Sequence, residues 1–305
     1  MTKPDAAWRT TNLGTRLFAA SGRVIAIKLA AVHAAGFAEL TVAQLALFHT
    51  LDPAGTRLTT LATRARLSKA SMAELVDRAE AGGLVVRRPD PTDARGRIVS
   101  PTRTGATLLA ALAAGLSAAE TDVVAAIGAS PTMRLRRVLG RYIAVEASLS
   151  SHWDTGEAAA GVHGALPNVG RLFALSAARF TADVATAVAE HGFAATPAVL
   201  GMIRHLDLGG SRLTDLATAA RMTKPAMREL VDRGEALHFV VREPDPVDGR
   251  AQRIMFTPHG LALLDAVRSG IGAAEAALGA VGGAAMAEVR QSLNSLASRK
   301  LSAAA

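Results

Sequence analysis

Shifted by 155 residues, the chain falls on itself. "RLFAAS" (Arg16 to Ser21) meets "RLFALS" (Arg171 to Ser176), "RLTTLATRAR" (Arg57 to Arg66) meets "RLTDLATAAR" (Arg212 to Arg221), and "MAELVDRAEA" meets "MRELVDRGEA". Over residues 56–105 against 211–260, 27 of 50 positions are identical without a gap. A period of this kind fixes how many structural units a chain can form, so it is read before any local pattern. It predicts two lobes of one fold, residues 12–149 and 168–302. Between them "SSHWDTGEAAAGVHGALP" (150–167) is rich in Gly, Ala and Ser, lacks periodicity and reads as a linker. A chain of 305 residues has the length for two such domains.

Within each lobe the pattern is mostly helical. "NLGTRLFAASGRVIAIKLAAVHAAG" spaces Leu13, Leu17, Val24, Ile27 and Ala31 as one helix face and contains no Pro. Thr41 stands as an N-cap, and Thr196 followed by Pro197 is a cap and a first-turn proline. A short helix ("LTTLATRAR") and a tight turn precede "SKASMAELVDRAEAGG". There Met72, Leu75, Val76 and Ala79 sit at i, i+3, i+4 and i+7 and bury one face. Gly82 and Gly83 stop that helix. "LVVRRP" and "RIVSPT" then read as two strands joined by "DPTDARG", a hairpin with a charged tip that recurs at Val240 to Arg253. The expected fold is mainly α with small β-hairpin wings, a tandem winged helix-turn-helix.

Charge points to the partner. Thirty-four Lys and Arg against 26 Asp and Glu give a net charge of +8, which suits a polyanion. A helix whose outer face is small and polar can enter the major groove, and its free N–H groups favour phosphate. The first such helix presents Ser68, Lys69, Ser71 and Arg78, the second Thr223, Lys224, Arg228 and Arg233. On the hairpins Arg95 and Arg97, or Arg250 and Arg253, are placed for a minor groove, whose negative potential favours Arg. Double-stranded DNA is the expected partner. Between residues 56 and 105 there are ten basic and five acidic residues, between 211 and 260 eight and seven, so the first lobe should grip harder. Ala73 stands where the second lobe has Arg228, so half-sites need not match.

Other functions find little support. Without cysteine there is no disulfide, thiolate metal site or thiol nucleophile. No phosphate-binding Gly loop, metal-spaced His pair or Ser elbow is present, so neither an enzyme nor a cofactor or metal is expected. "MTKPDAAWRTTN" lacks the apolar run of a leader. The longest uncharged stretch, Thr104 to Ala119, falls short of a membrane span. A cytoplasmic protein without membrane contact is the expectation.

The order "LGTRL", the helix ending "FHTL", then "RLTTLATRARLSKASMAELVDRAEAGGLVVRRPDPTDARGRIVSPTRTG" resembles the MarR family of bacterial transcription regulators, over nearly the whole of both lobes. The resemblance implies a DNA-binding repressor released by a small, often aromatic or phenolic, effector. Family members are homodimers with a helical interface, so this chain would be an intrachain pseudo-dimer acting as a monomer. The resemblance also implies that Asp93 and Asp248 brace a wing arginine. It places a ligand pocket between the helical interface and each head, lined by Arg16, Ser21, Arg23, His33 and His49 in one lobe and Arg171, Ser176, Arg179 and His205 in the other. An Arg there would suit a carboxylate. Phe18, Phe48, Phe173 and Phe180 are expected in the core. The chain departs from the family pattern at Glu74 and Glu229, whose carboxylates repel phosphate. It departs again at Ala79 and Gly234, which replace a large apolar residue and imply looser packing. His238 stands where the first lobe has Gly83, at a position that calls for left-handed backbone. The rival reading is a degenerate winged helix whose heads bind protein instead of DNA.

Overall fold

A computed structural model describes residues 8–65, 67–90, 93–144, 168–220, 222–249 and 251–299, without the side chains of Thr10, Ala94, Arg95 and Ala144. The expected linker, 150–167, lies outside the described residues. A short helix α1 (Trp8–Thr11) leads into α2 (Leu13–Ala34), which buries Leu13, Leu17, Ala20, Val24 and Val32. Next comes α3 (Val42–Phe48), where the Thr41 N–H donates to the Gln44 side chain at 3.0 Å and closes a capping box. After β1 (Thr56–Arg57) come α4 (Leu58–Ala65) and α5 (Lys69–Ala81). Ser68 caps α5, its Oγ accepting from the Ser71 N–H at 3.0 Å, and the buried face is the expected Met72, Leu75, Val76 and Ala79.

The hairpin is β2 (Val85–Asp90) and β3 (Asp93–Pro101), antiparallel, with Val85 opposite Pro101 and Arg88 opposite Ile98. The sequence predicts two strands here. The structure adds β1 on the far edge of β3, giving the order β1-β3-β2; two residues are too few to show a period. Two long helices follow, α6 (Arg103–Ile127) and α7 (Ala129–Ala144). The order then recurs as α8 (Val169–Glu190), α9 (Pro197–His205), β4 (Ser211–Arg212), α10 (Leu213–Ala219), α11 (Lys224–Ala236), β5 (Val240–Pro244), β6 (Gln252–Phe256) and α12 (Pro258–Gly282). A single 3-10 turn joins α12 to α13 (Met286–Ser298). The second sheet is ordered β4-β6-β5, and its pair Arg212 opposite Arg253 lies 155 positions along from Arg57 opposite Ile98.

Contacts divide the chain into two compact units, one of Met1–Phe18 with Leu175–Arg290, the other of Ala19–Ala174 with Gln291–Ala305. The ends of the expected lobes are thus exchanged between units. In the first unit the Leu13 N–H at the start of α2 donates to Glu275 Oε1 of α12 at 2.8 Å. Arg9 Nη2 donates to the carbonyls of Ile203 and Leu206 at 2.6 Å, closing the carboxyl end of α9. In the second unit the Val169 N–H at the start of α8 donates to Glu120 Oε1 of α6 at 2.8 Å. Glu120 and Glu275 are themselves 155 positions apart, so one capping device serves both units.

The core of the second unit gathers Leu45, Phe48, Leu61, Met72, Val76, Val85, Val99, Leu108 and Leu112 around the winged helix. Three expectations are corrected. Ala79 and Gly234 do not loosen the packing: a Cβ on Gly234 would meet Val240 Cγ2 at 3.0 Å and Met202 Cε at 3.1 Å, so neighbouring side chains already fill the space. Phe18 is not core but exposed, with the Arg204 guanidinium 4.8 Å from its ring centroid. Four stretches, Leu13–Ala34, Arg103–Ile127, Val169–Glu190 and Pro258–Ser298, are by length and composition apolar enough to cross a membrane, contrary to the count of uncharged residues. That count stopped at Glu120, whereas α6 runs on to Ile127, and Glu120 and Asp122 are few enough to leave it apolar on average. His238 takes φ +58°, beside +68° for Gly83, the left-handed turn that the alignment of the repeats required.

Candidate nucleic-acid interface

Ser68, Lys69, Ser71 and Arg78 are exposed on α5 or its cap, and Thr223, Lys224, Arg228 and Arg233 on α11. Thr223 caps α11 as Ser68 caps α5. Arg78 reaches Glu74 one turn back at 3.8 Å, both side chains open to solvent, so the departure at Glu74 is partly neutralised.

Each helix is tied to its wing by an arginine that the sequence reading did not single out. Arg87 on β2 donates to Asp77 at 2.5 Å and to Glu80, and its backbone N–H also meets Glu80 at 2.9 Å. Arg242 on β5 does the same with Asp232, at 2.7 Å, and Glu235. The resemblance implied bracing by Asp93 and Asp248; both lie within reach of an arginine, and each copy has a second, nearer carboxylate. The braced arginine is Arg57 on β1, whose nearer carboxylate is Asp90 at 2.5 Å, with Asp93 at 3.4 Å. In the second copy Arg212 meets Asp245 at 2.8 Å and Asp248 at 4.0 Å. The identical "RL" and "PDP" of the two repeats were the available signal.

The hydrogen bond from Arg212, with those from the Val247 and Asp248 N–H groups, holds the Asp245 carboxyl down to about 2. A depressed carboxylate contributes stability above its unfolded value, about 3.9, and loses it as pH falls towards 2. Arg212→Ala is expected to move the Asp245 titration, followed by carboxyl NMR, up towards the unfolded value. A titration still near 2 would assign the depression to the backbone donors alone.

Arg97 is exposed on β3 opposite Pro89. Arg253 is corrected: it aligns with Ile98 and not with Arg97, is half-buried, and donates through Nη2 to the Gly210 carbonyl at 2.9 Å. That bond turns it towards the root of the wing. Arg250 and the side chain of Arg95 lie outside the described residues.

The nine ligand candidates divide between the units. Arg16, Ser176, Arg179 and His205 belong to the first, and Ser21, Arg23, His33, His49 and Arg171 to the second. Arg23 is not free to hold a ligand carboxylate, since it grips Asp122 through two bonds of 2.6 and 2.7 Å and the Arg299 carbonyl at 2.7 Å. Arg179 faces Asp183 at 3.6 Å. His33 is exposed and contacts the Leu40 carbonyl, and Ser21 is half-buried on α2. The backbone N–H of Arg171 meets Asn168 at the start of α8. Burial, with Arg204 and Arg9, lowers the His205 imidazole. Arg16 Nε and the fully buried Ser176 Oγ have no hydrogen-bond partner among the described residues.

His49 meets a residue absent from the candidates. Its Nε2 accepts from the Lys28 ammonium, which is 9% exposed, and burial pushes that amine down to about 8. No carboxylate among the described residues pairs with Lys28. Lysine on a helix ordinarily signals a solvated face, so the sequence concealed it.

Residues 38–96, from the entry to α3 through α4 and α5 into β3, match the model of the MarR family. The likeness to the MarR family is carried by this segment. Members of that family are DNA-binding transcriptional regulators, and the match takes in α4, the turn, α5 and β2 and stops within β3. No curated protein matches the chain. Among solved structures it is similar to the transcriptional regulator Tm0710 of Thermotoga maritima, at 22% identity and TM-score 0.30 over 36% of this chain and 77% of that one. A probable transcriptional regulator of Pseudomonas aeruginosa matches at 24% and 0.30 over 35% and 83%. BpsR of Bordetella bronchiseptica, whose DNA binding is regulated by 6-hydroxynicotinic acid, matches at 23% and 0.34 over 42% and 89%.

Proposed function

We propose that this MarR-type chain is a cytoplasmic, sequence-specific DNA-binding repressor that arose by tandem duplication and acts as a monomeric pseudo-dimer. The observation that carries the reading is the pair of capped, outward-facing helices, each fastened to an arginine-braced wing by Arg87 or Arg242. Two such heads suit half-sites about one helical turn apart. A small carboxylate or phenolate effector releases the DNA, held by Lys28 beside His49, where a buried cation has no counter-charge among the described residues. Arg16 and Ser176 offer polar atoms for an effector in the other unit.

The test is anisotropy of duplex DNA from the region upstream of the chain's own gene, titrated across salt against random duplex. Binding is expected to resist competitor, with log K falling by about 0.9 per phosphate neutralised for each unit of log salt. Equal affinity for both duplexes, insensitive to salt, would sink the reading and favour heads that bind protein. Light scattering is expected to give the mass of one chain.

A further inference from the structure

The two recognition helices are fastened to their wings alike, which makes one difference between them informative. On α11, Arg228, Asp232 and Glu235 form an i, i+4, i+7 stripe, and Asp232 and Glu235 hold Arg242 of the wing. On α5 the same stripe is Ala73, Asp77 and Glu80, the last two holding Arg87. With register and anchorage equal, residues 73 and 228 occupy the same place one turn into the helix, where major-groove readers contact base edges.

Most of the surrounding surface is shared: Lys69 and Lys224, Glu74 and Glu229, Arg78 and Arg233. Three outer positions within the helices differ, Ala70 with Pro225, Ser71 with Ala226, and Ala73 with Arg228, while the caps Ser68 and Thr223 both present a hydroxyl. Ser71 is engaged with Ser68, Oγ to Oγ at 2.8 Å, and neither Ala nor Pro carries side-chain donors. Arg228 is exposed and makes no ion pair among the described residues. A guanidinium so placed matches the O6 and N7 acceptors of guanine, the commonest specific pairing in the major groove.

Resting on the DNA-binding reading, we infer that Arg228 selects a guanine in one half-site while Ala73 leaves the equivalent base pair unread. The chain therefore lies on its operator in a single orientation. A homodimer with identical helices has no means of doing this; a fused pair needs one substitution.

The experiment is selection of duplexes with a randomised core of roughly two helical turns by the full-length protein, its Arg228→Ala variant and its Ala73→Arg variant. The wild-type chain is expected to enrich a two-part motif with guanine at one position of one half. Arg228→Ala keeps the motif but loses that preference, a change of about 5- to 150-fold for the guanine-bearing duplex. Ala73→Arg makes the guanine appear in both halves. If Arg228→Ala instead weakens all duplexes equally and flattens the salt dependence, the residue contacts phosphate and the inference falls while the DNA-binding reading stands. If the wild-type chain enriches nothing, both fall together.

Discussion

Gly105→Ala is expected to unfold the winged helix of the first repeat at denaturant concentrations where the wild-type chain is intact. A Cβ at residue 105 would stand 1.9 Å from the Leu84 carbonyl oxygen and 3.0 Å from its carbon. Neither atom can retreat freely, because the same carbonyl accepts from the Thr102 N–H at 3.0 Å. The Gly105 N–H in turn donates to Thr102 Oγ1 at 3.0 Å, and that hydroxyl donates to the Gly83 carbonyl at 2.6 Å. The knot ties the end of α5 and the start of β2 to the first turn of α6. Overpacking costs about 1 to 3 kcal/mol, with the upper end expected where the opposing atom is backbone. Gly260→Ala should act alike on the second repeat, where the added carbon would lie 1.9 Å from the Phe239 carbonyl oxygen. Gly22→Ala is the control: it lies within α2 with nothing within 4 Å of the new carbon, and should gain up to about 1 kcal/mol from helix propensity. Equal urea midpoints for Gly105→Ala and the wild-type chain would mean that the close approach is not needed.

Which features the sequence disclosed follows from how far apart their causes lie along the chain. The stripe Met72, Leu75, Val76, Ala79 is legible because eight consecutive residues carry it, and Thr196 with Pro197 because a cap is a local event. The strain at His238 was legible through the repeat alone, which set a histidine against Gly83. The "TxxG" shared by both copies becomes intelligible only with Leu84 and Phe239 in place. Arg57 and Asp90 are 33 residues apart, and no periodicity joins them. Exchange of the helix starts was illegible for a similar reason: an apolar face announces that α2 is buried, not which partner buries it. The uncharged stretch Thr104 to Ala119 understated the apolar helix because it ends at Glu120, while α6 continues through Glu120 and Asp122, which are held by the Val169 N–H and Arg23.

Lys28→Met is expected to stabilise the chain at neutral pH and to abolish its response to a small carboxylate. The wild-type amine, at about 8, lies below the value near 10.4 of an unfolded lysine. Between those values the unfolded chain binds the extra proton, so stability rises with pH across that window; below it, the full cost of enclosing the cation is present. At roughly 1.4 kcal/mol per pKa unit the cost at pH 7 is a few kcal/mol, which a methionine of similar shape avoids. The urea midpoint of Lys28→Met should therefore exceed that of the wild-type chain at pH 7, and the two should converge near pH 10. Gly115 explains why the lysine cannot simply swing out: a Cβ there would lie 2.8 Å from Lys28 Cα, so α6 presses directly on α2 at this residue. The second repeat offers the contrast. Its equivalent of Lys28 is Asp183, already opposite Arg179, so no such cost is stored there. Retaining an unfavourable buried cation at Lys28 and not at its counterpart Asp183 makes sense if an anion is to neutralise it. Benzoate is then expected to raise the wild-type midpoint, more at pH 7 than at pH 10, and to leave Lys28→Met unmoved. A variant less stable than the wild-type chain at pH 7 would show instead that His49 compensates the ammonium, and the effector would have to be sought at Arg16 and Ser176.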